Sequence, residues 1–535
     1  MYEQHAAGLI RGHLLYNIVQ ADYRYRIGEF ENSLQFLEDA AADELTLFAS
    51  SGTSVVTSPF PRDYDRLFSL LLEKLSKKIG TEEGENNAAE ELTFRFLEQR
   101  RYRSFRNMIV QSGSKKIAST LASENEKMAL AEIEKIKNQL KNNNDHNLKN
   151  RLRRAYSDYE NAVIKEQFSI EIQKAIATAH PVKLKTAQAN LDEKTALIEY
   201  VFVGEKTIAL VLTKDKLKSF PLTVTRSNLK NKTRILQTSV FSKDKNHRSD
   251  DWEPISRNLR ESLIEPIERS GALKNKNRLA IIPFGFLHDL PFAMLTRNEN
   301  GKTHFLIEDY VLFFPPSATF LTVNETKKET AKLVSFGRNS NDMADLPPLK
   351  FAVRESESVA EIFSGEAKLE NKASETEFKD SAPKATHLHI AAHAIAEPEM
   401  PLFSRLLLKS TDKDDGKLTT REIFELGINA NLVTIAACEG ARSFSADSEG
   451  LIEIDRIGLT EAFLHAGSRS VLASLSPASD EATTELMQSF YKNLLSQDKA
   501  TSLALAQREM LRREVNNRFT HPRYWANFVL IGTDR

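Results

Sequence analysis

The chain has 535 residues, of which 41% are hydrophobic and 27% charged, and its 73 basic and 74 acidic residues leave a net charge of −1. This composition predicts a globular protein of roughly two to four domains, and the balanced charge excludes a global attraction to nucleic acid or to acidic membranes. The single cysteine excludes intramolecular disulfides and cysteine-cluster metal sites, and no apolar run approaches the ~20 residues that span a bilayer.

Residues 1–184 carry apolar side chains at helical spacing and predict an all-helical region. The spacing is clear from Leu14 to Phe48. The charged stretch 123–179 contains neither Gly nor Pro and is interrupted by an asparagine-rich bend, which predicts a long helical hairpin. Its acidic and basic residues are interspersed, so we expect a solvated face and no nucleic-acid partner. No fixed repeat period is visible, although the helices are consistent with the remnant of a helical-repeat array.

From residue 185 onward, short β-rich runs alternate with helical segments, which predicts a layered α/β fold. The runs 196–202 and 207–212 are separated by a short loop and predict a β-hairpin. The run 278–283 predicts a buried strand, and the run 305–314 predicts a further strand.

Two apolar runs in the carboxyl-terminal part end in side chains that can perform chemistry. Thr386–Ala392 predicts a strand that ends at His393, and Leu432–Ala437 predicts a buried strand that ends at Cys438. Ligands of α/β sheets bind at the carboxyl ends of strands, so we expect both side chains at one crevice. Their separation of 438 − 393 = 45 residues is close to the roughly 50 residues between the His and the Cys of caspases.

An imidazole beside a thiol has a recognised chemical use. The imidazole takes the thiol proton or stabilises the thiolate, and it later protonates the leaving amine. The alternative is structural, because a free cysteine often packs as a small hydrophobic residue and a histidine at a strand end often only hydrogen-bonds. The pairing of the two residue types at two strand ends favours the catalytic interpretation.

Several runs in the same order resemble the CHAT domain, the caspase-like domain associated with tetratricopeptide repeats. They are TALIEYVFVGEKTIALVL, RLAIIPFGFLHDLPFAML, THLHIAAHA, TIAACEGA, SEGLIEIDRIGLTEAFLHAGSRSVLASLSPASDEATTELMQSFYKNLL and HPRYWANFVLIG. The resemblance covers residues 185–535. It implies an α/β caspase-like fold, a mostly parallel sheet flanked by helices, with a degenerate half (185–330) and an active half (331–535). The all-helical region 1–184 precedes it.

The resemblance also implies specific site residues. The His–Cys dyad of the caspase and separase clan falls on His393 and Cys438. The clan's oxyanion hole, made of the peptide N–H groups of the Cys and of the residue after the His, falls on Cys438 and Ala394. Caspases and separases usually carry Gly after the His, so Ala394 departs from their pattern while keeping a backbone N–H.

Asp480 resembles the separase position whose carboxylate receives a basic P1 side chain, which predicts cleavage after Arg or Lys. The alternative is that Asp480 caps the helix that begins near Glu481. Many CHAT sequences carry Trp where this chain has Ser476, which puts the pocket in question.

The residues and the resemblance together predict a cysteine endopeptidase that cleaves a protein substrate at a restricted site, and the resemblance implies a setting in bacterial defence or regulated cell death. The start lacks the layout of a signal peptide, and we expect a cytoplasmic protein with no metal or organic cofactor and no membrane segment. The helical region is expected to bind a regulatory or activating protein. The alternatives are a catalytically silent scaffold or signalling adaptor, and a cysteine hydrolase of small acyl substrates.

Overall fold

The computed structural model describes residues 2–51, 90–99, 101, scattered positions between 128 and 155, and then 182–242, 251–322, 332–340, 348–397, 401–436, 458–512 and 517–534, with single positions at 73 and 346. The predicted helical hairpin of 123–179 lies largely outside these residues, and Cys438 lies outside them. The chain divides into two compact units, which are described separately.

The first unit begins with two packed helices, α1 (Tyr2–Arg26) and α2 (Phe30–Ser51). They are separated at Gly28, whose φ of 85° lies in the left-handed region that glycine adopts at little cost. The buried residues of both helices recur at helical spacing, as expected for faces that pack together: Leu14, Ile18, Ala21, Leu34, Leu37 and Ala40. The Ser33 hydroxyl donates to the Ala21 carbonyl at 2.7 Å and fixes the crossing of the pair.

The second unit opens with a sheet in the order β3-β2-β1-β4-β7. Its strands are β1 (Thr195–Val203), β2 (Lys206–Leu212), β3 (Leu217–Leu222), β4 (Arg278–Ile282) and β7 (Val311–Phe313). Two further strands, β5 (Thr296–Glu299) and β6 (Lys302–Phe305), form a separate hairpin outside this sheet. The β1–β2 pair is antiparallel and confirms the predicted hairpin, whereas β1, β4 and β7 are parallel. Strand β4 confirms the buried strand predicted over 278–283.

The strand predicted over 305–314 is wrong in its first half. Residues Leu306–Asp309 form a short helix, and only Val311–Phe313 forms a strand. The Glu308 carboxylate accepts the N–H of Phe305 at 2.9 Å, which closes a local helical turn that an apolar run does not reveal.

The second sheet has the order β16-β15-β14-β10-β8-β9, with β11-β12-β13 as a small antiparallel sheet beside it. The strands are β8 (Leu333–Gly337), β9 (Glu366–Leu369), β10 (His387–Ala391), β11 (His393–Ile395), β12 (Arg405–Leu407), β13 (Lys417–Thr419), β14 (Leu432–Ile435), β15 (Ser470–Ser474) and β16 (Phe528–Gly532). All neighbours are parallel from β15 to β9, and β16 alone in that order is antiparallel to its neighbour.

The two larger sheets meet edge to edge. The N–H of Phe314, just past β7, donates to the Leu530 carbonyl at 2.8 Å, and the N–H of Gly532 donates to the Phe314 carbonyl at 3.1 Å. Gly532 has φ 112°, and a Cβ there would lie 2.2 Å from the Arg469 carbonyl oxygen, so the junction requires glycine.

Helices flank both sheets. They are α4 (Leu184–Ala189), α5 (Arg226–Phe241), α6 (Glu253–Leu263), α7 (Glu265–Arg269), α8 (Leu306–Asp309), α9 (Ala352–Phe363), α10 (Glu375–Ser381), α11 (Thr420–Glu425), α12 (Leu459–His465), α13 (Asp480–Leu494) and α14 (Lys499–Arg512). The predicted fold class is confirmed: a mostly parallel sheet with flanking helices follows a helical region. In the described residues, no helix has the length and hydropathy needed to cross a membrane.

A helix from the first third of the chain, α3 (residues 90–99), packs on the amino-terminal sheet within the second unit. The Glu98 carboxylate accepts the N–H groups of Ala318 at 2.8 Å and of Thr319 at 3.0 Å. Arg101 Nε donates to the buried Glu199 of β1 at 2.8 Å. The sequence assigned these residues to the helical region 1–184, whereas their polar contacts lie with the α/β unit.

Candidate active site

The register of three parallel strands pairs residues that shortly precede those the sequence singled out. Ile435 of β14 is paired with Ile390 of β10 on one side and with Ala473 of β15 on the other. His393 stands three residues after Ile390 and Cys438 three residues after Ile435. Parallel neighbours lie about 4.8 Å apart and end at the same edge of the sheet, so the two residues follow paired positions of β10 and β14 by the same number of residues.

His393 lies where the chain leaves the central sheet. Strand β10 ends at Ala391, and after Ala392 the chain enters β11, which pairs with β12. His393 is opposite Leu407 and is half-buried. The imidazole is therefore carried by a short strand of the small sheet, at the carboxyl end of β10.

The ladder of the small sheet also orients the backbone of Ala394. Leu408 N–H donates to the Gly416 carbonyl at 2.8 Å, and Thr420 N–H donates to the Ser404 carbonyl at 2.7 Å. In an antiparallel pair, every second residue directs its N–H and C=O toward the partner strand. Leu406 lies two residues from both Ser404 and Leu408, so its N–H and C=O also point toward β13. Leu406 therefore makes no backbone hydrogen bond to Ala394, the residue opposite it on β11. The Ala394 N–H consequently points away from β12, to the outer edge of β11.

A buried contact between His389 and Glu355 connects β10 to helix α9. His389 Nε2 lies 3.0 Å from Glu355 Oε1 of α9, and the Thr484 hydroxyl donates to Glu355 Oε2 at 3.0 Å. Both His389 and Glu355 are almost fully buried. Burial raises the pKa of the Glu355 carboxyl, and the hydrogen bond from His389 opposes that rise. The sequence assigned His389 no function, and the structure places it in a contact between sheet and helix.

Arg338 is a functional candidate that the sequence did not reveal. It follows β8 and is 3% exposed. Its N–H donates to the Ala391 carbonyl at 3.0 Å, and its Nη1 donates to the Leu408 carbonyl at 2.7 Å. The backbone of Arg338 thus links the end of β8 to the end of β10, and its buried guanidinium links the same point to Leu408, next to β12 of the small sheet that carries His393. No periodic pattern marks such a residue, because its partners are backbone carbonyls distant in sequence.

Asp480 is the first residue of α13, but its carboxylate serves a different helix. Asp480 Oδ2 accepts the N–H groups of Lys350 at 2.6 Å and of Phe351 at 2.9 Å, immediately before α9. The residue that precedes α13, Ser479, makes no side-chain cap. The capping alternative considered for Asp480 therefore occurs at α9 rather than at its own helix.

Of the residues predicted to form the site, His393, Ala394 and Asp480 are described, whereas Cys438 lies outside the described residues. In the part of the chain that the structure describes, no three His, Cys, Asp or Glu side chains lie close enough together to hold a metal ion. The chain thus reaches His393 and Ala394, on β11, directly after the carboxyl end of β10, whose neighbour in the sheet is β14.

A family profile described as the CHAT domain matches residues 253–533. Tetratricopeptide repeat protein 28 of Homo sapiens is 26% identical over 376 residues, covering 58% of this chain and 15% of that protein. Its Mus musculus counterpart is 24% identical over 341 residues, covering 53% of this chain and 13% of that protein. The chain therefore spans only a small part of the curated relatives it matches.

Some solved structures are also similar to this chain in part. Chains from crystals of the Saccharomyces cerevisiae separase–securin complex at 3.0 Å and 2.6 Å resolution align with a TM-score of 0.41 each. Their identities to this chain are 10% and 9%, and the alignments cover 98% of this chain but 46% and 47% of theirs.

Proposed function

The chain belongs to the CHAT domain family, and from that premise we propose that it is a cysteine endopeptidase with His393 and Cys438 as its catalytic pair. The observation that carries the proposal is the register of β10 and β14. The two residues stand at the same offset, three positions, beyond the paired Ile390 and Ile435. Neighbouring parallel strands that are followed in the chain by His and by Cys would supply the two groups that thiol-based acyl transfer requires.

In the proposed reaction, His393 removes the Cys438 thiol proton and the sulfur attacks the substrate carbonyl carbon. The resulting oxyanion accepts hydrogen bonds from the N–H groups of Ala394 and Cys438. The imidazolium then protonates the leaving amine as the peptide C–N bond breaks, which leaves a thioester. Water, deprotonated by His393, hydrolyses the thioester, releases the carboxylate product and regenerates the thiol. The outward direction of the Ala394 N–H supports its part in this scheme.

Asp480 is proposed as the acid that receives a basic P1 side chain. Two backbone N–H groups hold its Oδ2 atom, while within the described residues Oδ1 accepts no hydrogen bond. A carboxylate fixed through one oxygen has the other available for a guanidinium or an ammonium group. The proposed substrate is therefore a protein cut after Arg or Lys.

The remaining proposals concern the setting. We propose a cytoplasmic role in bacterial defence or regulated cell death, with the helical region binding a regulatory or activating protein. This proposal is supported by Glu98 of α3 and by Arg101, which come from the first third of the chain and contact the amino-terminal half of the α/β unit.

The test is cleavage of a peptide library varied at P1, comparing the natural chain with Cys438→Ala and Asp480→Asn. We expect cleavage after Arg or Lys, its loss in Cys438→Ala, and a lower preference for basic residues in Asp480→Asn, which retains an acceptor oxygen but no charge. Cleavage that survives in Cys438→Ala would refute the proposed nucleophile. A natural chain that cleaves nothing, alone or with its co-purified binding proteins, would support a scaffold or adaptor instead.

A further inference from the structure

A cavity of about 450 Å³ opens beside the carboxyl end of β15. One face of α5 lines it on one side, with Lys230, Thr233, Arg234 and Gln237 at the spacing that places helix residues on a common face. The opposite wall comes from the segment 475–477 that follows β15. Pockets of this size commonly hold a ligand of several heavy atoms.

The lining combines an apolar floor with a cationic rim. Phe241 and Leu475 are buried and form the floor, while Lys230 and Arg234 are exposed at the rim. Neither cation has a hydrogen-bond or salt-bridge partner in the part of the chain that the structure describes. Asp289 also lines the cavity but already takes part in another interaction, so the rim keeps an excess of positive charge. This combination suits a carboxylate on an aliphatic stem.

Thr233 supplies an independent sign of a ligand. Its side chain is 3% exposed, lines the cavity, and its hydroxyl has no hydrogen-bond partner among the described residues. Leaving a buried hydroxyl unpaired costs about 1–3 kcal/mol, so such groups usually have a partner. The amide of neighbouring Gln237 is already used, because it donates to the Asp289 carbonyl and its Oε1 accepts the Ser476 hydroxyl at 2.8 Å. Thr233 therefore remains as the donor for an incoming acceptor.

The cavity lies at the same edge of the sheet as the candidate catalytic residues. Ala473 of β15 is paired with Ile435 of β14, and Ser476 stands three residues beyond Ala473, as Cys438 does beyond Ile435. Adjacent parallel strands are about 4.8 Å apart, so a peptide lying across the ends of β10 and β14 would pass the mouth of this cavity.

We propose that this cavity is a substrate subsite that receives an acidic side chain of the peptide, at a position other than P1. The carboxylate lies between Lys230 and Arg234 and accepts the Thr233 hydroxyl, and its methylene groups contact Phe241. This proposal rests on the proposed peptidase function and adds the substrate class: peptides with Glu near the cleaved bond.

The test measures binding without cleavage. Fluorescein-labelled octapeptide libraries, each with Glu or Gln fixed at one position in turn, are titrated into the full chain carrying Cys438→Ala and followed by fluorescence anisotropy. We expect Glu to bind about 5- to 10-fold more tightly than Gln at one position, and Arg234→Gln with Lys230→Gln to abolish the difference. Lys232→Gln is the matched control, since Lys232 lies on the same helix but bonds to Asn258 away from the cavity.

Charge reversal sharpens the test, because Arg234→Glu should favour Lys over Gln at the same position. Arg234 is exposed, so these variants are expected to keep the melting temperature of the parent. A Glu preference that persists in Arg234→Gln with Lys230→Gln, or that is absent from the parent, would overturn the proposal. If calorimetry detects 4-phenylbutyrate binding that depends on Arg234 while no peptide position prefers Glu, the cavity is a small-carboxylate site and the peptide subsite is refuted.

The outcome is separable from that of the proposed function. Binding to Cys438→Ala does not use the thiol, so a Glu preference without cleavage by the natural chain would refute the peptidase and keep the peptide site. Cleavage by the natural chain without a Glu preference would keep the peptidase and refute the acidic subsite.

Discussion

The two halves of the α/β unit use the carboxyl ends of their parallel strands in opposite ways. In the amino-terminal half, β1 and β4 lead to aromatic residues that fill the edge: Phe202 stacks on Phe286 with ring centroids 5.0 Å apart, and Tyr200 stacks on Phe292 at 6.0 Å. In the carboxyl-terminal half, the corresponding strand ends lead to polar groups, with His393 after β10 and Ser476 after β15.

The difference teaches that parallel topology alone does not create a site. Ligands bind at the carboxyl ends of parallel strands because the loops there leave a crevice. In the amino-terminal half the buried rings of Tyr200, Phe202 and Phe292 pack at this edge, which contributes stability, since burying a large side chain stabilises a fold by about 1.5–3 kcal/mol. The other half leaves polar groups at its edge and relies on buried supports such as Arg338.

The largest expected effect tests whether the residues that follow the strands of the carboxyl-terminal half carry out catalysis. His393→Ala should reduce peptide cleavage by at least about 10³-fold, because removal of the base of a catalytic pair removes nearly all of the pair's contribution. The matched control is His304→Ala in the amino-terminal half, where His304 Nε2 contacts Asp309 at 2.9 Å. Initial rates on the best library peptide measure both, and equal losses in the two variants would contradict the assignment.

The next effect concerns the filled edge. Phe292 is fully buried against Tyr200, so Phe292→Ala should lower the free energy of unfolding by about 3–5 kcal/mol. Ile235, 44% exposed on α5, is the control, and Ile235→Ala should change it by less than about 0.5 kcal/mol. Urea unfolding followed by tryptophan emission reports the α/β unit, because both tryptophans of the chain, Trp252 and Trp525, lie there. A loss below about 1 kcal/mol would show that the aromatic edge is not a stabilising core.

A pH-dependent effect is expected where α3 meets the amino-terminal half. Burial, followed by repulsion from Glu199, raises the pKa of Glu98 from 4.5 to about 7. The folded state then binds more protons than the unfolded state between these values, so this contribution to stability is fully present below pH 4.5 and is lost as the pH rises through about 7.

Glu98→Gln should remove this component of the pH dependence, which amounts to at most about 3 kcal/mol. The measurement is the change in unfolding free energy between pH 5 and pH 7.5 in each protein, rather than its absolute value, because Gln also disturbs the hydrogen bonds to Ala318 and Thr319. Identical slopes for the natural chain and the variant would show that Glu98 ionises at its ordinary pKa.

The smallest effect tests whether the active edge also supports structure. Asp480→Ala removes the acceptor for the Lys350 and Phe351 N–H groups and should cost about 1 kcal/mol of unfolding free energy. Asp480→Asn keeps an acceptor oxygen and should cost only a few tenths of a kcal/mol. Equal costs in urea unfolding would indicate that the charge, rather than the hydrogen bonds, stabilises the start of α9.

Much of the strand pattern was predictable because apolar runs are local signals. The strand predicted over 278–283 is observed as Arg278–Ile282, and the strand predicted over 432–437 is observed as Leu432–Ile435. The run 305–314 misled, since its apolar residues fit both a strand and the short helix Leu306–Asp309. A capping hydrogen bond from the Phe305 N–H to the Glu308 carboxylate decides between them, and hydrophobic periodicity does not report such a bond.

The residue types of the candidate catalytic pair were predictable from the sequence, whereas the buried residues that hold the surrounding strands were not. His393 and Cys438 stand out because each follows an apolar run, whereas Arg338 and Glu355 carry no such mark. Glu355 lies on an ordinary amphipathic helix, and only the packing of α9 on the sheet brings it to His389. The contact of Asp480 with Phe351 spans 129 residues of sequence and was equally hidden.

The sequence by itself determined the local alternation of apolar and polar residues, and with it the positions of most strands and the family of the α/β unit. Tertiary structure alone decided the register that pairs Ile390 of β10 with Ile435 of β14, the residues from which His393 and Cys438 are each three positions away in the sequence. It also decided which cavities remain open and which strand ends are filled with rings. The physical reason is that periodicity acts over a few residues, whereas register, burial and the pairing of buried charges depend on partners distant along the chain.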